Sequence, residues 1–202
     1  EFIKLVQKNS SIELRVISGE EEARLSYLAA IANLPRSDGQ IAVFDTGGGS
    51  TEFIFGRNNT IERRFSIDIA AVRLTETYFR HDPPAQFEIN AVLSEIRQCF
   101  LKNGLSGTPD IVVGVGGAVT NIAGVMLSLP VYDSRRVNGA VITVDEIDRQ
   151  ISLYSSKKLV HRRKITGLAP QRADIILAGA CILKVVAEFL NAEKITAVSS
   201  GL

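Results

Sequence analysis

The 202-residue chain has few of the residues from which disulfide frameworks and zinc centres are made: two cysteines and two histidines. Cys99 and Cys181 lie far apart, each in an amphipathic stretch beside apolar neighbours. They read as two buried free thiols of a reducing compartment, which points to a cytoplasmic location. His81 and His161 have no cysteine or carboxylate at metal-ligand spacing, so a zinc site is not expected. An excess of one charge is missing too: 23 Lys and Arg against 22 Asp and Glu leave a net charge of +1. Nucleic acid binding therefore has no overall electrostatic basis, and anion recognition has to be local. No apolar run approaches the length of a bilayer span and none opens the chain, so neither a membrane segment nor a signal segment is expected. Internal repeats, low-complexity tracts and Gly/Ser linkers are also absent. What remains is a globular balance, 46% hydrophobic and 22% charged, in a length that supports one sizeable core.

Glycine, by contrast, is concentrated where it can do chemistry. Asp45-Thr46-Gly47-Gly48-Gly49-Ser50-Thr51-Glu52 lies between the apolar runs Ile41 to Phe44 and Phe53 to Phe55, which reads as strand, glycine-rich turn, strand. Three glycines without Cβ atoms let successive backbone N–H groups converge on an anion, and Ser50 and Thr51 add hydroxyl donors. A plain two-residue hairpin needs one or two such glycines and no flanking carboxylates. Asp45 at the strand tip would repel a bare phosphate, and a Mg²⁺ held through waters resolves that conflict. A second cluster, Gly114-Val115-Gly116-Gly117, follows the strand Ile111 to Val113 and opens a helix from Ala118 to about Leu127, a second anion site in principle.

The remaining pattern is that of an α/β layer fold with an antiparallel start and parallel additions. Ile12, Leu14 and Val16 alternate with charged residues as a half-buried strand, and a helix follows with Leu25, Leu28, Ala29 and Ala32 on its packing face. The strands either side of the glycine turn continue through Gly56-Arg57-Asn58-Asn59 into a third, ending near Ile67, as a meander. Helices are expected from Ala70 to Phe79 and from Ile89 to Phe100, the latter stopped by Gly104. Leu129 to Asn138 reads as a loop, and Thr143 to Glu146 as the capping box of a helix buried along Ile147 and Ile151. A last helix carries Ile176, Ala180, Leu183, Ala187 and Leu190 on one stripe before a strand from Ile195 to Ser199.

Three glutamates open the first helix. Ser18 with Glu21 makes a capping box, and Glu20 suits the helix dipole. Glu22 has neither role; three and seven residues before Leu25 and Ala29, it faces the body of the protein. There it is either a general base, accepting a proton from a water that attacks phosphorus, or the partner of a cation such as Arg24. The basic run His161-Arg162-Arg163-Lys164 is either a solvated loop or a track for a polyanion, and Arg172 after Pro170 is equally open.

Four stretches in order, SGEEEARL at 18–25, DTGGGSTEF at 45–53, GVGGAVTNIA at 114–123 and ITGLAPQRADIILAG at 165–179, resemble the exopolyphosphatase and guanosine pentaphosphate phosphohydrolase family. The likeness runs from near residue 14 to the terminal VSSGL. It implies an actin-like ATPase, ribonuclease H-like fold, a mixed sheet flanked by helices, with the active site in a cleft between two lobes. It also implies metal-dependent hydrolysis of terminal phosphoanhydride bonds, releasing orthophosphate from polyphosphate or guanosine pentaphosphate. Position by position, Glu22 matches the family's catalytic base and Gly47, Gly48, Gly49 and Ser50 its phosphate loop. Gly116 and Gly117 match the second glycine loop, and Asp45 and Glu52 the acids associated with Mg²⁺.

Departures from the pattern are specific. Ala118 follows the second glycine pair where the family often has a hydroxyl, and SIDIAAVRLTE at 66–76 carries Asp68 and Ala70 where Pro and Gly are usual. An Asp-x-Gly-Ser-type loop and an Arg-bearing segment of the first lobe do not precede residue 18. The expectation is therefore a tail of the first lobe with the crossover helix at 1–33 and a second lobe at 34–202, supplying about half of an active site. Two other readings belong to different classes: an actin-like kinase or ATPase nucleotide-binding lobe, and a catalytically silent phosphate-binding or dimerisation module, for which a second copy of the chain is a candidate partner.

Overall fold

The computed structural model describes residues 6, 10, 17–32, 34 and 38–199. The strand expected at Ile12 to Val16 and the terminal VSSGL motif from Ser200 lie outside them. A meander builds one half of a sheet: β1 (Gln40–Thr46), β2 (Thr51–Arg57) and β3 (Thr60–Ile67) pair antiparallel in sequence. On the other side of β1, β4 (Ile111–Val115) and then β6 (Lys194–Val198) add in parallel. The short strand β5 (Val141–Thr143) pairs antiparallel with β6 at the far edge, so the six-stranded order is β3-β2-β1-β4-β6-β5. Eight α-helices and a single 3-10 turn (Pro170–Arg172) accompany the sheet among the described residues, the α-helices being α1 (Gly19–Ile31), α2 (Ala71–Tyr78), α3 (Gln86–Lys102), α4 (Gly117–Met126), α5 (Ser134–Val137), α6 (Val144–Ser155), α7 (Leu159–Arg162) and α8 (Ile176–Phe189).

Burial of both sheet faces explains the unbroken apolar runs of β1 and β4. Ala42, Phe44, Phe53, Phe55 and Val112 point into the larger core, where Phe53 stacks on Phe44 and Phe65 and meets Phe100 of α3 edge-on. Ile41, Val43, Ile54, Val113 and Val115 point the other way, into a smaller core closed by Tyr27 and Ala30 of α1. The α8 helix runs through the middle of the larger layer against α2, α3, α4 and α6. It therefore buries Leu177, Ala178, Cys181, Ile182 and Val186 as well as the single stripe expected for it, being apolar all round.

Four other local expectations need correction. The stripe of α1 that packs is Ala23, Tyr27, Ala30 and Ile31, whereas Leu25 and Ala32 are exposed. Tyr27 wins because Gly56 leaves room for its ring: a Cβ there would lie 2.8 Å from the Tyr27 Cζ and Oη atoms. The segment Leu129 to Asn138 is not all loop, since Asp133 caps the short helix α5 through the Arg135 N–H at 3.0 Å. Cys99 is half-buried rather than buried; Cys181 is fully buried and its thiol is pushed up to about 12 by that burial. Arg162 is buried beside Asp82, with 3.5 Å between Nη2 and Oδ1, so it belongs to neither a solvated loop nor an exposed track. The helix caps were legible: the Ser18 and Thr143 hydroxyls accept from the N–H groups of Glu21 and Glu146 at 3.1 and 3.2 Å.

Candidate functional site

Strand register assembles the site. Asp45 of β1 stands directly opposite Glu52 of β2, and Glu52 directly opposite Ser66 of β3. On its other side Asp45 is level with Val115, the last residue of β4. Side chains at these levels leave the sheet on the α1 face, so Ser66, Glu52 and Asp45 form one polar row at the end of the sheet where both glycine loops begin. One step inward, Arg64, Ile54 and Val43 form the next row.

A cavity of about 470 Å³ lies between this surface and α1. Its floor is Val43, Ile54 and Val115, and its polar lining includes Asp45, Glu52, Arg64 and Ser66. From α1 come Gly19, Glu22, Ala23 and Ser26, spaced as one helical stripe. Glu22 thus reaches the site on the Gly19–Ser26 stripe and not on the Leu25–Ala29 face expected from the apolar spacing.

Negative charge is concentrated at the Asp45–Glu52 pair. Glu52 accepts from the hydroxyls of Ser66, at 3.0 Å, and Ser50. Asp45 is held above the usual carboxylate range, first by burial and then by the negative charge of Glu52. A buried carboxylate set directly opposite a second one at a strand end is an arrangement that a divalent cation would stabilise. Among the described residues no three His, Cys, Asp or Glu side chains cluster as a protein-built cage. Mg²⁺ takes one or two carboxylates and completes its shell with water and substrate phosphate, so Asp45 and Glu52 fit that ion.

The first glycine loop is open. The N–H of Gly47 donates to Ser50 O at 3.0 Å, closing the turn. A Cβ built on Gly48 or Gly49 would meet nothing within 4 Å, and none of Gly47, Gly48 and Gly49 has a left-handed backbone. Their lack of side chains is therefore not demanded by this chain's own packing. Thr51, expected as a phosphate donor, is buried and donates to Ile69 O at 2.7 Å, so its role is structural. Ala70 has extended backbone at φ −148°, which needs no glycine.

The second loop is tight. Gly116 has φ +91° and ψ 176°, a region essentially reserved to glycine, and a Cβ there would overlap Asp45 Oδ1. The two loops are thereby coupled through Asp45. Thr120 Oγ1 and Asn121 Nδ2 donate to Gly117 O at 3.3 and 2.8 Å, and the Ala169 N–H donates to Asn121 Oδ1 at 2.8 Å. That chain of bonds, with the close backbone approach of Gly167 to Gly124, lays residues 165–172 along α4. Arg172 consequently arrives over the loop, its guanidinium carbon 3.3 Å from where a Gly117 Cβ would sit. Ala118 packs against the larger core, and its methyl lies where a Cβ on Gly179 of α8 would come within 2.9 Å of it, so α8 approaches closely only because residue 179 is glycine.

Of the residues singled out from the sequence, Glu22, Asp45 and Glu52 line the cavity, whereas Gly47, Gly48, Gly49, Ser50, Gly116 and Gly117 form the two loops beside Asp45 without lining it. Within the first loop the Gly47 N–H is taken by Ser50 O and the Ser50 hydroxyl donates to Glu52, so neither is free as a phosphate donor. Arg64 and Ser66, not expected from the sequence, also line the cavity, since the alternation of β3 sets both on the Glu52 face once the hairpin register is fixed. None of His161 to Lys164 lines it.

The profile of the Ppx/GppA phosphatase family matches residues 1–202. The chain belongs to the Ppx/GppA phosphatase family. Among relatives, it is 32% identical over 198 residues to the bifunctional 3-dehydroquinate synthase/phosphatase of Fusobacterium nucleatum, covering 94% of this chain and 29% of that protein. It is 32% identical over 185 residues to exopolyphosphatase 2 of Mycobacterium tuberculosis, covering 87% and 56%. Against the guanosine-5'-triphosphate,3'-diphosphate pyrophosphatase of Aliivibrio fischeri it is 28% identical, covering 100% and 39%. The Ppx/GppA crystal structure from Aquifex aeolicus superimposes with a TM-score of 0.89 at 30% identity, over 99% of this chain and 65% of that one. The fold is accordingly the actin-like ATPase fold of Ppx/GppA proteins, with a mixed sheet flanked by helices. The chain spans 29% to 56% of the length of these curated relatives. The open glycine turn and the carboxylate pair lie in this chain's DTGGGSTEF stretch, and the tight loop in its GVGGAVTNIA stretch. Among the described residues no helix is long and apolar enough to cross a membrane.

Proposed function

We propose that the chain supplies about half of the active site of a metal-dependent hydrolase that removes terminal phosphate from polyphosphate or guanosine pentaphosphate. The observation that carries this reading is the in-register Asp45–Glu52 pair set between two glycine loops, with Glu22 in the same cavity. Similarity to an exopolyphosphatase and to a guanosine-5'-triphosphate,3'-diphosphate pyrophosphatase supports keeping both substrates in this reading.

Mg²⁺ held by Asp45 and Glu52 would supply charge neutralisation to the phosphate chain. The Gly47 N–H is used in closing the turn on Ser50 O, so the N–H groups of Gly48 and Gly49, in a loop that no neighbouring side chain crowds, would bind phosphoryl oxygens as negative charge moves onto them, with those at the start of α4 acting likewise. Arg172 beside Gly117 adds a planar donor fork suited to phosphate. Glu22 accepts a proton from the attacking water, whose oxygen bonds to the terminal phosphorus as the anhydride P–O bond breaks, leaving orthophosphate and the shortened chain.

The test is orthophosphate release by the full-length protein from both substrates, with Mg²⁺ and with a chelator. Release from at least one, abolished by chelation and restored by Mg²⁺, is expected. Tight Mg²⁺-dependent ATP binding with no release from either substrate would instead select the actin-like kinase or ATPase reading.

A further inference from the structure

Arg64 is out of place by ordinary helix electrostatics. It lies on the edge strand β3, yet its Nη1 donates to Gly19 O at 2.6 Å, at the N-terminal end of α1, where the helix dipole disfavours a cation. The contact joins two walls of the cavity. Gly19 begins the Gly19–Glu22–Ala23–Ser26 stripe, and Arg64 stands two residues from Ser66, which holds Glu52. Its neighbour Arg63 points to the opposite face, 4.3 Å over the Phe55 ring, and donates to Ser106 O at 3.0 Å. Only one of the two adjacent arginines therefore touches the helix that carries Glu22.

We propose that Arg64 is a positioning residue: its bond to the Gly19 carbonyl fixes the first turn of α1, and with it the Glu22 carboxylate, against the strand pair that carries Glu52. This rests on the reading of Glu22 as the base. Glu22 lies one helical turn beyond Gly19, so a rotation of that turn moves the carboxylate directly. A displacement of about 1 Å in a catalytic group costs on the order of 100-fold in rate. The guanidinium makes this contact through one nitrogen, so a lysine ammonium can replace it in part.

The experiment is a double-mutant cycle in the full-length protein, measuring kcat and KM for polyphosphate. Arg64→Ala is expected to lower kcat about 10- to 100-fold with KM nearly unchanged. Arg64→Lys should recover part of the loss. In a Glu22→Gln background the same Arg64→Ala change should alter the residual rate by less than about threefold, because the group it positions is gone. Arg63→Ala, on the other face, should lower thermal stability and leave kcat in place. A rise in KM with kcat retained would make Arg64 a substrate contact and overturn the proposal. Equal losses in both backgrounds, or a change in melting temperature alone, would overturn it as well. Glu22→Gln turning over at the parental rate would remove the base assignment itself, whereas an inert Glu22→Gln beside a fully active Arg64→Ala would sink only the positioning role. Should Arg64→Ala not fold, Arg64→Gln in the same cycle gives the same readings.

Discussion

Replacing Asp45 by Asn should stabilise the Mg²⁺-free protein while disabling it. Asp45 is partly buried and faces Glu52 across the strand pair, and both conditions disfavour its charge. Like charges opposite one another in a sheet cost up to about 1 kcal/mol, and burial adds a comparable amount. Loss of an anion at the start of α4 gives back roughly 0.3–1 kcal/mol. The net gain expected for Asp45→Asn at neutral pH is about 1 kcal/mol. The sign of its pH dependence follows from the raised pKa. The native state keeps this proton to higher pH than the unfolded chain, so the wild type loses stability as pH climbs from the ordinary value of 3.8 through the raised one. The advantage of Asn should therefore vanish below that window and be complete above it. Mg²⁺ at ten times its dissociation constant should stabilise the wild type by about 1.4 kcal/mol and leave Asp45→Asn unmoved. Denaturant melts at several pH values, with and without Mg²⁺, read all of this. A Mg²⁺-free Asp45→Asn protein less stable than wild type by 1 kcal/mol or more at pH 7 would refute the reasoning, because it would make Asp45 a satisfied structural carboxylate.

The two glycine loops should answer differently to alanine. Gly116→Ala places a side chain at φ +91° and against Asp45 Oδ1, so chemical denaturation should show a loss of about 1–3 kcal/mol. Gly48→Ala meets nothing within 4 Å, so it should be neutral or stabilising by up to about 1 kcal/mol in the same assay, yet lower orthophosphate release. Glu88 offers an acid-side test away from the site. Burial alone would raise its carboxyl, but hydrogen bonds from His81 and from the N–H groups of Arg80 and Ala85 outweigh that and hold it at about 2. Its stabilisation is full above the ordinary value of 4.5 and disappears as pH falls through about 2. Glu88→Gln should cost about 2 kcal/mol at pH 7 and progressively less towards pH 2 in thermal melts.

What was legible in the sequence was local. The meander and both glycine loops announce themselves within ten residues, and caps such as Ser18 and Thr143 are chemical signals that need no partner. Features decided by distant contacts were not legible. The buried face of α1 is set by Gly56 making room for Tyr27, and leucine periodicity alone selects the wrong stripe. The all-round burial of α8 depends on four helices around it, and Arg162 is buried by packing that a basic run conceals. The three-residue strand β5 is too short to show a period. Arg64 and Ser66 enter the site only once the register of β2 on β3 sets them beside Ile54 and Glu52. Glu22 was selected by elimination among three glutamates, and the structure brings it to the cavity on a different helical stripe from the one assumed.

The central claim is that the Glu22 carboxylate serves as the base at a phosphate site made by Asp45, Glu52 and the glycine loops. Its most direct test is single-turnover release of orthophosphate from polyphosphate by the full-length protein and its Glu22→Gln variant, with binding measured on the same samples. The account predicts that the variant binds polyphosphate with Mg²⁺ as the wild type does and releases orthophosphate at least 100-fold more slowly, the scale of general base catalysis. Release at the wild-type rate with intact binding would contradict it.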